Sequence, residues 1–246
     1  MSTLAVGTRA KATAERTPGV DWVQLRWLAL GLMVGFLVPF VLADQLDLPR
    51  DIYYGLYSFA AVGLFVLWAR ATHASIGSMI RRRWLLAVAL GVVFALVMAL
   101  VVLRTEDATS RPDGFTLVGA VAWRGVLYGI ADGVLLSAFP ILVVYAAFAA
   151  SALNGRRLGR LVVGLAALAA SLTMTATYHL GYDDFRSGKV RSPMAGDVVW
   201  SVPTLATLNP IGAPIAHAGL HVTAVLHSYE TDVFLPPHSS STTPDG

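Results

Sequence analysis

The chain has no cysteine among its 246 residues. Disulfides, thiolate nucleophiles and cysteine-ligated metals are therefore excluded, and any metal must sit on His, Asp or Glu. Charge is also scarce. Only 13% of residues are Asp, Glu, Lys or Arg, whereas 56% are hydrophobic and the mean hydropathy is +0.64. Such a chain cannot cover a single core with an ordinary water-facing surface, so it reads as an integral membrane protein. The pI near 9.4 does not point to nucleic acid, because the basic residues lie in short clusters between apolar runs.

About 20 apolar residues are needed to cross the hydrocarbon as a helix. Runs of that kind extend over Val23 to Ala43, Tyr53 to Ala69, Trp84 to Leu103 and Leu161 to Leu180. The block from Phe115 to Leu153 is long for one span and short for two. The last apolar region, Val198 to His227, is interrupted by "NPIGAP", where proline removes a backbone donor and glycine loosens the turn. These features predict an all-α polytopic bundle of six to seven spans with its last helix broken near Asn209-Pro210. The chain divides into a tail (1–22), a three-span region (23–104), a membrane core (115–228) and a polar tail (229–246), whose composition is that of a disordered end.

Basic residues cluster in the N-terminal tail (Arg9, Lys11, Arg16), before the third span (Arg70, Arg81, Arg82, Arg83) and at Arg156, Arg157 and Arg160, whereas the 44–52 and 104–114 loops are richer in acids. The positive-inside rule makes the basic segments cytoplasmic. One crossing by the 115–153 block satisfies that rule, whether as one long tilted helix or with its first part shallow or re-entrant. The run ending "VPFVLA" before Asp44 is longer than a usual signal-peptide core and follows a long polar leader, so it reads as span one.

Ionisable residues inside apolar sequence are costly unless paired or facing a polar cavity, and they default to function. Within 115–153 these are Arg124 and Asp132. On a helix Arg124, Tyr128 and Asp132 share one stripe. The plain alternative is a snorkelling arginine and a helix-capping aspartate. His179 closes the fifth apolar run. His217 and His221 stand at i and i+4 in the last, a spacing that aims two imidazoles the same way, as metal ligation by paired histidines requires. Gly212, Ala213, Ala216, Ala218 and Gly219 let this helix pack closely on a neighbour, which would bring His179 within reach. His227 reads as interfacial, and His73 and His238 as solvated.

Taken in order, "WRGVLYG" (123–129), "YHLGY" (178–182) and "APIAHAGLHVTA" (213–224) resemble the motifs of the CAAX protease and bacteriocin-processing enzymes, a superfamily of intramembrane metalloproteases. The resemblance covers roughly residues 115 to 227. It implies the family's membrane fold, with Arg124 in the arginine place, His179 and His217 in the histidine places, and His221 where a polar residue such as Asn usually stands. It implies a divalent metal, commonly zinc, on His179, His217 and His221, and a membrane-protein or lipidated-peptide substrate in a bacterial inner membrane. The chain departs from the pattern at Gly119 and Ala120, where a glutamate pair supplies the base, and at Thr175, where an aromatic stands. Asp132 is the acid inside a span that could replace that base; Asp183 and Asp184 lie just beyond His179.

Three functions follow. The first is a divergent intramembrane metallopeptidase. The second is a catalytically degenerate relative acting as an interaction or regulatory protein. The third is a haem or proton carrier, with His179 facing His217 or His221.

Overall fold

The computed structural model describes residues 19–237, so the His238 expectation lies outside the described residues. The described residues are helical with no strand. Five helices are long and apolar enough to cross a membrane: α1 (Trp22–Gln45), α2 (Arg50–Ala71), α4 (Trp84–Thr105), α5 (Gly114–Ala147) and α6 (Arg157–Leu180). A short α3 (Ile76–Arg81) links α2 to α4. After α6 come α7 (Asp183–Arg186), α8 (Arg191–Trp200), α9 (Val202–Thr207) and α10 (Gly212–His227). Large side chains such as Phe59, Leu96 and Leu158 point outward, as a lipid-facing surface requires.

The 115–153 block holds one continuous 34-residue helix, long and apolar enough to cross a membrane. Residues 121–127 and 133–138 of α5 are wound as π-helix, a form that often marks functional positions. Pro140 has no N–H to offer the carbonyl of Leu136, four residues earlier. That carbonyl instead accepts the Ser171 hydroxyl of α6 at 2.8 Å, tying the two helices together where the backbone ladder is weak. Asp132 lies inside this helix and caps none.

The interruption at "NPIGAP" is a reversal rather than a kink. Leu208 takes the left-handed conformation, φ 54°, after α9. The Asn209 amide donates to the carbonyls of Ile80 and Arg82, both at 2.7 Å, while its Oδ1 accepts the Ile211 N–H at 3.0 Å. The break is thereby pinned beside the start of α4. From there α10 runs alongside α4 in the same direction. Gly91 meets Gly212 and Ile215, Ala95 meets Gly219, and at the far end the His227 ring bonds the Glu106 carbonyl at 3.0 Å. At 1.5 Å per residue its 16 residues extend about 24 Å, short of a full hydrocarbon thickness.

On its other side α10 meets α5 through a glycine ridge. A methyl group at Gly125 would stand 3.0 Å from the Val222 Cα, one at Gly129 2.6 Å from the Ala218 Cα, and one at Gly133 2.6 Å from the Pro214 Cα. The two four-residue spacings interlock in opposite directions. Absent side chains let the backbones touch, the device by which membrane helices gain contact without a hydrophobic driving force.

Candidate metal centre

The close approach of α10 to its neighbours is as expected, but these are α4 and α5 and not α6, and the partner that α5 delivers to the histidines is Asp132. The Oδ2 atom of Asp132 lies 3.3 Å from His217 Nδ1 and 3.3 Å from His221 Nε2. One ligand atom from each of the three residues falls within 4.8 Å of the others. All three are buried, with 6%, 0% and 3% of their surface exposed. Two donors held about 2.1 Å from a tetrahedral zinc stand roughly 3.4 Å apart, and the two separations of 3.3 Å from Asp132 match that spacing.

Proton placement sharpens the point. His221 Nδ1 is 2.7 Å from the Phe234 carbonyl, an acceptor only, so this nitrogen carries the proton. In a neutral ring Nε2 is then bare, and it faces a carboxylate oxygen. His217 Nδ1 also lacks an aligned hydrogen bond, although Asp132 is near. Two bare nitrogens around an anionic oxygen repel unless a positive charge lies among them. Either a metal ion or an added proton on an imidazole meets that need. Tyr57 donates to Asp132 Oδ1 at 2.8 Å, leaving Oδ2 for the centre. The hydrogen bonds from Tyr57 and to Phe234 are of the kind that orient metal ligands from outside the coordination sphere.

A second polar layer surrounds this centre. The phenols of Tyr53, Tyr128, Tyr178 and Tyr182 hydrogen-bond one another, with Tyr128 to Tyr178 at 2.6 Å and Tyr178 to Tyr182 at 2.6 Å. Tyr128 also meets the His221 ring edge-on at 4.8 Å. On the opposite side, buried Asp197 accepts the hydroxyls of Ser137 and Ser201, both at 2.9 Å. Asp197 lies on α8, outside the five spans, and burial raises its carboxyl above the usual range while the hydroxyls pull it back. Trp200, one turn on, lies against the His217 ring at 4.6 Å.

His179 stands apart from the cluster. Its Nδ1 is 2.8 Å from the Thr175 carbonyl, and its ring packs against Tyr178 and Phe185. The set brought together is thus Asp132, His217 and His221, and not the expected His179, His217 and His221. The His179 pairing that a bis-histidine haem needs is likewise not assembled. Arg124 does lie on the Asp132 stripe, eight residues and about 12 Å along the axis. Its guanidinium, however, forks onto Asp51 at 2.7 and 2.8 Å and covers the Tyr229 ring. Gly119 and Ala120 line the same surface recess as Arg124 and Asp51. Asp183 is exposed and pairs with Arg186; His227 is half-buried and His73 is exposed in its loop.

The sequence reading missed Tyr57, Ser137, Asp197 and the Phe234 carbonyl. A signal existed for some of them: Tyr53 with Tyr57, Tyr178 with Tyr182, and Asp197 with Ser201 each recur at four-residue spacing, which makes polar stripes on helices. For Phe234, whose contribution is a backbone atom in a loop, none did.

Compared with known proteins, the chain matches no family model, no curated protein and no solved structure.

Proposed function

We propose that this integral membrane protein binds a divalent cation, zinc by ligand type, between Asp132, His217 and His221, and uses it to hydrolyse a peptide substrate within the bilayer. The observation that supports it is the convergence of one carboxylate oxygen and two imidazole nitrogens, each imidazole oriented from its far side. A three-ligand zinc leaves a fourth position at which bound water becomes a nucleophile near neutral pH. The chain's own residues fix the geometry. Phe234 sets the His221 proton, Tyr57 occupies the second carboxylate oxygen, and the glycine ridge holds α5 and α10 at the required distance. The peptide substrate, and a basic end facing the cytoplasm, are carried by the resemblance and the charge pattern.

The second reading rests on the same 3.3 Å contacts. An imidazolium at His221, paired with the Asp132 carboxylate, would satisfy the centre without metal and make it a packing device, as in a catalytically degenerate relative. A hydrolysis assay addresses activity. Protein in liposomes is expected to cleave a quenched-fluorescent peptide with a C-terminal lipid, and to lose the activity on chelation or with His217→Ala. Equal cleavage by His217→Ala would contradict a role for this centre. His179→Ala is expected to keep the wild-type metal content by mass spectrometry; loss of the metal would put His179 back among the ligands.

A further inference from the structure

The two nitrogens of His217 have different neighbours. Nδ1 faces Asp132, while Nε2 lies 3.5 Å from the Ser137 hydroxyl oxygen. Which of them carries the proton follows from Ser137. Its own proton goes to Asp197 Oδ1 at 2.9 Å, and the Ser201 hydroxyl also approaches that oxygen, at 2.9 Å, as a donor. As a carboxylate, Asp197 thus accepts both hydroxyls at Oδ1. Around Ser137 the remaining hydroxyls are committed too: Ser171 donates to the Leu136 carbonyl at 2.8 Å, and the one Ser201 proton goes to Asp197 Oδ1 at 2.9 Å. Ser137 can therefore offer His217 only a lone pair, and a lone pair calls for an N–H at Nε2. Nδ1 is then bare.

We infer that Asp197 is a positioning residue for the metal centre: acting through Ser137, it holds His217 as the Nε2–H tautomer and aims the Nδ1 lone pair into the space shared with Asp132 and His221. The inference rests on the metal-binding reading. A second feature of α8 touches the same ring, since Trp200 packs against it, tilted by 59°, at 4.6 Å. The burial of Asp197 is hard to explain by packing. It is 0% exposed, and its Oδ2 is buried without a hydrogen-bond partner. A side chain so placed costs stability unless it is paired. In carboxylate–histidine–metal arrangements, outer groups of this kind fix the tautomer and raise ligand basicity. Here a serine hydroxyl is interposed, so helix α8 and the centre are coupled through one side chain.

The test uses full-length protein in detergent, with zinc alone as the probe. Nitrogen-15 spectra of histidine-labelled, zinc-free protein report the His217 tautomer directly, and competition with a chromophoric chelator reports zinc affinity. Wild type is expected to show Nε2–H with Nδ1 bare. Ser137→Ala and Asp197→Ala are expected to lose that tautomer preference and to bind zinc about 10- to 100-fold more weakly, with the His221 signals unchanged. Ser137→Thr, which restores the hydroxyl, is expected to recover both. An Nδ1–H signal in wild type, or a Ser137→Ala affinity within twofold of wild type, would overturn the relay. Nε2–H in wild type with no measurable zinc affinity would instead overturn the metal reading, so the two failures are distinguishable. Should Asp197→Ala not fold, Ser137→Ala and Ser137→Thr decide the matter alone.

Discussion

A Gly129→Leu variant is expected to lose the metal site and much of the bundle's thermal stability together. The first added carbon alone would stand 2.6 Å from the Ala218 Cα, 2.9 Å from its nitrogen and 3.0 Å from the His217 carbonyl oxygen. Every one of these is a backbone atom, so no rotamer change relieves the overlap and α10 must move as a unit. Extra methylenes in a packed interior typically cost about 1–3 kcal/mol; a whole leucine side chain against backbone should reach at least about 3 kcal/mol. Because His217 and His221 flank Ala218 on the displaced helix, zinc binding should vanish with the packing. Gly63 supplies the control, since nothing lies within 4 Å of the carbon added there. Gly63→Leu is expected to melt within a few degrees of wild type, consistent with about 0.5 kcal/mol for uncongested positions. Thermal unfolding in detergent with zinc titration reads both. A Gly129→Leu protein that melts like wild type would show that the α5–α10 contact does not organise the centre.

Asp132→Asn is expected to weaken zinc binding by on the order of 100-fold or more, since a ligand is lost and not merely its support. The amide keeps the volume of the carboxylate and can still accept from Tyr57, so the fold should persist. Its NH2 group, moreover, presents donors to the two nitrogens that carry no proton in the metal reading. The zinc-free variant is therefore expected to be as stable as zinc-free wild type or more so. The ion-pair reading demands the opposite. There, removal of the carboxylate leaves a buried imidazolium uncompensated, and breaking a buried pair costs about 3–5 kcal/mol. Linkage adds a further readout: at zinc of 100 times its Kd, wild type should gain about 2.7 kcal/mol, whereas Asp132→Asn should gain almost none. A zinc-free variant destabilised by several kcal/mol, with no zinc response in wild type, would favour the ion pair.

Much of this architecture is legible in the residues themselves. Apolar runs of sufficient length mark the five helices long and apolar enough to cross a membrane, and "NPIGAP" marks the break before α10. The His217 and His221 spacing shows two imidazoles on one face, and the stripe of Arg124, Tyr128 and Asp132 is the one that turns toward α10, Arg124 meeting Tyr229 and Tyr128 meeting His221. What cannot be read from single-helix periodicity is which helix neighbours which. Small residues along α10 announce close packing but suit any partner. The decision lies in the matching row Gly125, Gly129 and Gly133, and it gives the histidines Asp132 instead of His179. The Arg124 pairing is hidden for a different reason. Asp51 lies in the first turn of a helix 73 residues away, in a loop-proximal stretch whose acids read as surface charge. Asp197 escaped notice because it sits just outside the last apolar run, and only the fold reveals that α8 is drawn inside.

Metal content decides whether Asp132, His217 and His221 hold a zinc ion. Full-length protein, purified in detergent without chelator, is to be measured by inductively coupled plasma mass spectrometry beside His221→Ala. The account predicts about one zinc per chain in wild type and almost none in the variant, because His221 is the ligand whose proton the Phe234 carbonyl fixes and whose bare nitrogen faces Asp132. Folded wild-type protein that carries no metal and takes up none on zinc addition would contradict it, and would leave Asp132, His217 and His221 as a buried ion pair holding two helices together.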